Sequence, residues 1–216
     1  MLERMDIFFE NRLVGYDEHM LKNIEGANEF YKFTASQLPM EAESEVLDLG
    51  CGTGLELEEY FSLNPSAHIT GIDLSAAMLN ALARKFPDKE LRLINGSYFE
   101  VPFENERYAA VVSVESLHHF TEKQKASLYR RLFHTLTAGG YFILTDYFAE
   151  TSELEKEYFD NLKNLKQEQN ITDNAFYHYD TPLTVEHEME ILRNSGFSDV
   201  RIVMNWGATY TLKAIR

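Results

Sequence analysis

Apolar residues near the amino terminus recur at helical spacing, first in "MDIFFENRL" and then in "DEHMLKNIEGANEFYKFTASQL" from Asp17, a run that Pro39 must stop. Beyond Glu45 the pattern changes to short runs rich in Val, Ile and Leu. "EVLDL" (45–49), "HITGI" (68–72), "LRLI" (91–94), "YAAVVSV" (108–114) and "GYFILTDY" (140–147) predict strands. Between them "GLELEEYFSL", "SAAMLNALARKF" and "TEKQKASLYRRLFHTL" read as helices, the last opened by a Thr121-x-x-Gln124 capping box. Unbroken apolar strands are expected where helices cover both faces of a parallel sheet. Strand–helix alternation then implies an open α/β sheet with right-handed crossovers.

The alternation stops after Tyr147. Residues 148–183 combine a charged helix, "SELEKEYFDNLKNLKQEQ" with Ser152-x-x-Glu155 at its start, and an aromatic loop, "NAFYHYDTP". A helix from Thr184 ends at Gly196, which suits a left-handed C′ position. "DVRIVMN" and "GATYTLKAI" lie too close in sequence for a parallel crossover and predict an antiparallel hairpin with one wetter face. The expected organisation is one domain, with a helical cap (1–40), a core (45–147), a helical insertion (148–183) and a terminal helix and hairpin (184–216).

Length and charge narrow the partners. The 216 residues, 44% of them hydrophobic, suffice for a full core. Thirty-five acidic against 20 basic residues give a formal net charge of -15, a field that repels nucleic acid and anionic membrane. The basic pairs at 84–85 and 130–131 fall on amphipathic helices and are expected on solvated faces. One cysteine, the absence of a signal-like start and the absence of a long apolar run lead us to expect a cytoplasmic protein.

Candidate chemistry centres on "VLDLGCGTG" (46–54). A dinucleotide turn needs G-x-G-x-x-G, but the third glycine position falls on Leu55. A triphosphate loop needs Lys-Ser or Lys-Thr, which is missing. What remains is Asp48-x-Gly50-x-Gly52-x-Gly54, a bare strand-to-helix turn behind a carboxylate that suits a cationic ligand better than a pyrophosphate. Asp73, nineteen positions past Gly54, stands where a carboxylate grips a ribose diol. Leu74 beside it offers a wall for an adenine face, while a plain helix cap is the simpler use of Asp73.

These stretches resemble the class I S-adenosylmethionine-dependent methyltransferases, from about Glu45 to the end of the chain. "VLDLGCGTG" resembles the family's first motif and "GIDLS" its second-strand acid; "INGSYFEVPF", "VVSVESLHHF", "LTAGGYFILTDY" and "LRNSGFSDVRIV" follow in the family's order. The resemblance implies a Rossmann-like, seven-stranded, mostly parallel sheet with helices on both faces and an antiparallel C-terminal hairpin. It also implies S-adenosylmethionine as cofactor, held by Asp48, Gly50, Cys51, Gly52, Gly54, Asp73, Leu74, Ser97, Tyr98 and Glu115. Ser97 stands where the family usually has an acid for the adenine amino group, and Tyr108-Ala109 replaces the usual Phe-Asp.

Methyl transfer needs alignment and a dry site, and a base only when the acceptor carries a proton. His118 is the candidate base, with Glu115 as its candidate orienter, and His119 is expected to bond a neighbouring loop. Tyr16, Tyr31, Tyr147, Tyr177, His178 and Tyr179 are candidate acceptor-pocket or lid residues. Neither "HYD" (178–180) nor "HEME" (187–190) forms H-E-x-x-H or a convergent ligand set, so no metal is expected. The function so implied is methylation of a small, partly apolar or aromatic metabolite. A cofactor-binding sensor without transfer activity, and an RNA-modifying enzyme, are the alternatives.

Overall fold

The computed structural model describes residues 1–216. Seven strands form one sheet: β1 (Glu45–Leu49), β2 (His68–Asp73), β3 (Leu91–Asn95), β4 (Tyr108–Val114), β5 (Leu136–Tyr147), β6 (Asp199–Trp206) and β7 (Thr209–Ile215). Their order is β3-β2-β1-β4-β5-β7-β6. The first five pair in parallel, while β7 runs antiparallel to both β5 and β6. Three helices precede the sheet: α1 (Met5–Arg12), α2 (Tyr16–Asn23) and α3 (Ala27–Ser36). Helices α4 (Leu55–Leu63), α5 (Ala76–Lys85) and α6 (Glu122–Thr135) connect strands; α7 (Ser152–Glu168) and α8 (Val185–Asn194) lie between β5 and β6.

Alternate residues of the strands feed two cores, because successive side chains point to opposite faces. Leu47, Leu49, Val111, Phe142 and Leu144 join Leu128 and Leu132 of α6 and Ile191 and Leu192 of α8. Val46, Ala110, Val112, Val114 and Ile143 join Phe30 and Tyr31 of α3, Leu57 and Tyr60 of α4 and Leu79 and Leu82 of α5. Within the first layer Lys125 is buried against Glu188, Nζ to Oε2 at 2.5 Å, and Tyr129 donates to the other carboxylate oxygen. No helix is long and apolar enough to cross a membrane.

Three expectations need correction. The second amino-terminal run is two helices, because Gly26 adopts φ +74° and packs against Trp206, breaking the run before α3. The cap of α7 is Thr151, whose hydroxyl accepts from Leu154 N; Glu155 instead reaches α8, accepting from Thr184 N at 2.7 Å. Arg131 is not on a solvated face. Its guanidinium donates to the carbonyls of Tyr98, Phe99 and Val101 and lies over the Phe103 ring, so it anchors the loop after β3. Likewise Lys85 is held between Asp17 and Glu58 at 3.3 and 2.7 Å.

Candidate active site

Strand order reverses between β1 and β4, so the chain leaves these two neighbours toward opposite sides and opens a crevice at their carboxyl ends. The glycine turn after β1 forms one wall. Gly50 has φ +72°, and a Cβ there would strike the Ser116 hydroxyl; Gly52 has φ +48°, and a Cβ there would meet nothing nearer than the Gly50 carbonyl oxygen at 4.0 Å. The first glycine is thus required by the fold, and the second leaves the backbone open for a ligand. Asp73 ties the two strand ends together: Oδ2 accepts from Gly52 N at 2.9 Å and Oδ1 from Ser75 N at 2.8 Å. The cap of α5 is Ser75, which accepts from Met78 N.

A narrow groove of about 50 Å³ follows this wall, bounded by Gly50, Gly52, Asp73, Leu74, Tyr98 and Glu115, and covered by Met5 and Phe9 of α1. Tyr98 lies 3.1 Å from the Ser116 hydroxyl. Ser97 turns its hydroxyl to Phe99 N within its own loop, and it does not line the groove. Cys51 is buried with Sγ against Gly71, so only its backbone is near the turn, and burial pushes its thiol up. Asp48 is buried beneath the turn beside Glu56 of α4. Asp48 Oδ2 and Glu56 Oε1 have no hydrogen-bond partner; burial raises both carboxyls, and the charge of Glu56 raises Asp48 further while Asp48 works the other way on Glu56.

A second, larger cavity of about 910 Å³ adjoins the groove. The hairpin supplies Trp206, Ala208 and Thr209, α1 supplies Phe8 and Phe9, α2 supplies Tyr16 and Met20, and the carboxyl ends of β4 and β5 supply Glu115, His118, His119 and Tyr147. Phe9, Tyr16, Glu115 and His119 line both spaces. Glu115 holds φ +47°, an uncommon conformation for a residue with a side chain, and its amide donates to Thr145 O at 2.8 Å. Burial pushes its carboxyl up to about 8.

His118 and His119 sit on a short 3₁₀ turn, Leu117–His119. Asp146, at the end of β5, orients His118: Oδ1 lies 2.5 Å from Nδ1, while Oδ2 accepts from Leu117 N at 2.9 Å. Glu115 is therefore not the orienter of this ring, because the neighbouring strand delivers a carboxylate closer. Despite burial, which disfavours the charged ring, Asp146, Asp180 and Glu115 raise His118 to about 9. His119 does bond a loop, with Nδ1 at 3.2 Å from Tyr179 O. It also stands 3.2 Å from Asp180 Oδ1, and burial lowers it.

The candidate lid segments pack on each other as well as on the site. Met5 N donates to Phe176 O at 2.9 Å, His178 N to Glu3 O at 3.0 Å, and Thr181 N to His118 O at 2.8 Å. His178 stacks on Phe8 with centroids 3.5 Å apart and lines the cavity. Tyr16 and Tyr147 line it too, Tyr147 with its hydroxyl 2.8 Å from that of Tyr158 on α7. Tyr31, Tyr177 and Tyr179 do not: Tyr31 packs inside α3's core, Tyr177 donates to Asp173, and Tyr179 offers its carbonyl. The sequence reading missed Asp146, Asp180, Met5, Phe8, Phe9 and Trp206. The aromatic pair "FF" on the first helix was the one local signal among them.

Comparison with known proteins finds related methyltransferases and methyltransferase folds. The methyltransferase-domain family matches residues 46–140. The chain is 29% identical over 114 residues to the uncharacterized methyltransferase YdaC of Bacillus subtilis, covering 53% of this chain and 62% of YdaC. It is 23% identical over 185 residues to the carboxy-S-adenosyl-L-methionine synthase of Nautilia profundicola, covering 81% and 78%. Human N-acetylserotonin methyltransferase, solved with S-adenosylmethionine, shares the fold with a TM-score of 0.67 at 17% identity, over 96% of this chain and 56% of that one. The chain thus spans less than two thirds of YdaC and of the human enzyme.

Proposed function

We propose that the chain is a class I S-adenosylmethionine-dependent methyltransferase, as its match to the methyltransferase-domain family over residues 46–140 supports, and that it methylates a small, partly apolar or aromatic acceptor held in the cavity of about 910 Å³. The carrying observation is that the glycine-lined groove and the cavity share Phe9, Tyr16, Glu115 and His119 as walls, so ligands in the two would meet there. When bound, S-adenosylmethionine supplies an electrophilic methyl on a cationic sulfur. The residues present fit it: an open backbone at Gly52, a carboxylate at Asp73 for a ribose diol, an apolar wall at Leu74 and a buried acid pair at Asp48 and Glu56 behind the turn.

This chain's own contribution is alignment and exclusion of water. The α1 helix and the 176–181 loop cover the meeting point, and Glu115 places a carboxyl group beside it. His118, clamped at Nδ1 by Asp146, presents Nε2 at the wall of the acceptor cavity. The cavity is within the usual range for small ligands, about 300–1,000 Å³. Aromatic walls favour a partly apolar acceptor, and the net charge of -15 disfavours RNA. The reading is tested by incubating the protein and methyl-labelled cofactor with fractionated cell extract. Label in small molecules supports it; label in RNA, or none in any fraction, overturns it.

A further inference from the structure

Nε2 of His118 is not alone at the cavity wall. It lies 3.6 Å from Asp180 Oδ1, and the same oxygen lies 3.2 Å from His119 Nδ1. One ligand atom from each of the three residues falls within 4.8 Å of the others. In a tetrahedral site with metal–ligand bonds of about 2.0–2.1 Å, ligand atoms stand about 3.4 Å apart. The two measured separations bracket that edge. Both histidines are buried while Asp180 is half-exposed, so the cluster faces the cavity, which all three residues line.

The surroundings of His118 match what metal-bound imidazoles need. A ligating histidine commonly gives its second ring nitrogen to a carboxylate, which fixes the tautomer and strengthens the ligand. Asp146 holds that place at Nδ1, and Leu117 N in turn fixes Asp146. His119 now directs Nδ1 toward Tyr179 O and Asp180; as a ligand it would carry its proton on Nε2 instead. Two imidazoles and one carboxylate form a donor set for zinc or a neighbouring first-row ion, whereas calcium and magnesium prefer oxygen. Three protein ligands leave a coordination position open, as in sites where the metal acts on a bound molecule.

We propose that His118, His119 and Asp180 hold a divalent transition-metal ion of the zinc class, with its open position turned to the acceptor cavity. The ion's role rests on the methyltransferase reading; the site itself does not. An acceptor hydroxyl or thiol coordinated there loses its proton to bulk water and stays bound as the anion, the ion taking no part in redox. His118 then serves as a ligand, and the lowered acceptor pKa replaces proton removal by the ring.

The test is equilibrium dialysis of the full chain against zinc, paired with the visible spectrum of the cobalt-loaded protein and calorimetric titration with S-adenosylhomocysteine. The wild type is expected to retain one equivalent of zinc and to give the intense visible bands of a four-coordinate cobalt site. His119→Ala and Asp180→Asn should each weaken retention more than about 10-fold, and Asp146→Asn by about 10–100-fold through the lost carboxylate–imidazole contact. S-adenosylhomocysteine affinity should be unchanged in the Asp180→Asn protein, whose altered side chain is half-exposed and leaves folding intact. No stoichiometric zinc in the wild type, or retention untouched by both ligand substitutions, overturns the site. Zinc binding without label transfer would instead retain the site and remove the methylation reading.

Discussion

Asp146 Oδ1 lies 2.5 Å from His118 Nδ1, and because Asp146 Oδ2 is tied to the Leu117 amide the ring is held with Nε2 toward Asp180. His118 stands 28 positions away from this carboxylate in sequence, on the 3₁₀ turn that follows the neighbouring strand β4. His118→Ala should lower turnover roughly 10²–10⁴-fold for an acceptor that must lose a proton, whether the ring takes that proton itself or holds an ion that lowers the acceptor's pKa. Affinity for S-adenosylhomocysteine should stay near the wild-type value. Steady-state kinetics beside calorimetry check this; loss of cofactor binding would mark the ring as structural.

Asp73 has two duties that substitution can separate. Its oxygens hold the Gly52 and Ser75 amides, and the carboxylate edge also lines the groove. Asp73→Ala should weaken S-adenosylmethionine binding by about 1–3 kcal/mol, the scale of a lost charge-assisted contact. Asp73→Asn keeps one acceptor oxygen and should preserve the melting temperature better than affinity. Calorimetry with thermal melting decides, and unchanged affinity in both variants removes Asp73 from the site.

The groove of about 50 Å³ is far smaller than an ordinary ligand pocket, because Met5 and Phe9 occupy its outer side. We therefore expect α1 and the 174–181 loop to open together, since backbone bonds from Met5 to Phe176 and from His178 to Glu3 join them. Hydrogen exchange should show both segments changing protection together when S-adenosylhomocysteine and acceptor are added. A response confined to one segment, or to neither, would mean that they are fixed packing.

Asp48 and Glu56 give a pH dependence of defined sign. Burial raises both carboxyls and the charge of Glu56 raises Asp48 further, so the folded chain holds its protons to higher pH than the unfolded chain does. The stability they contribute is therefore fully present in acid, below the ordinary carboxylate range, and is lost as pH rises through the elevated folded values. Glu56→Gln should raise the melting temperature at neutral pH by about 2–4 °C, equivalent to about 1 kcal/mol. The gain should fade toward about pH 4, where the unfolded carboxyls also take up protons. Melting curves across that interval test the sign, and a gain independent of pH would assign it to packing.

The Lys125–Glu188 pair joins α6 to α8 without solvent. Lys125→Met leaves a buried carboxylate with only Tyr129 and should cost about 3–5 kcal/mol, read by denaturant unfolding. Adding Glu188→Leu should recover much of that loss, because an apolar pair needs no desolvated charge. If the single variant is as stable as the wild type, Glu188 takes up a proton instead.

The sequence by itself determined the sheet and its glycine turn, because both are written at short range. Continuous apolar runs separated by helical periods specify a parallel sheet, and three glycines behind Asp48 require a backbone turn whatever lies around it. The hairpin followed from the few residues between β6 and β7. Only the tertiary structure decided which polar groups meet. His118 finds Asp146 because parallel pairing of β4 and β5 sets their carboxyl ends level, and it finds Asp180 because the 176–181 loop folds back onto the 3₁₀ turn. Met5 and Phe9 read as one apolar face of a helix, and nothing local says that this face lies over the cofactor groove. Arg131 shows the same limit, since a helix period cannot reveal that three loop carbonyls point at it. Local pattern encodes burial and turns; convergence of charges from distant segments depends on the register and packing of the whole sheet.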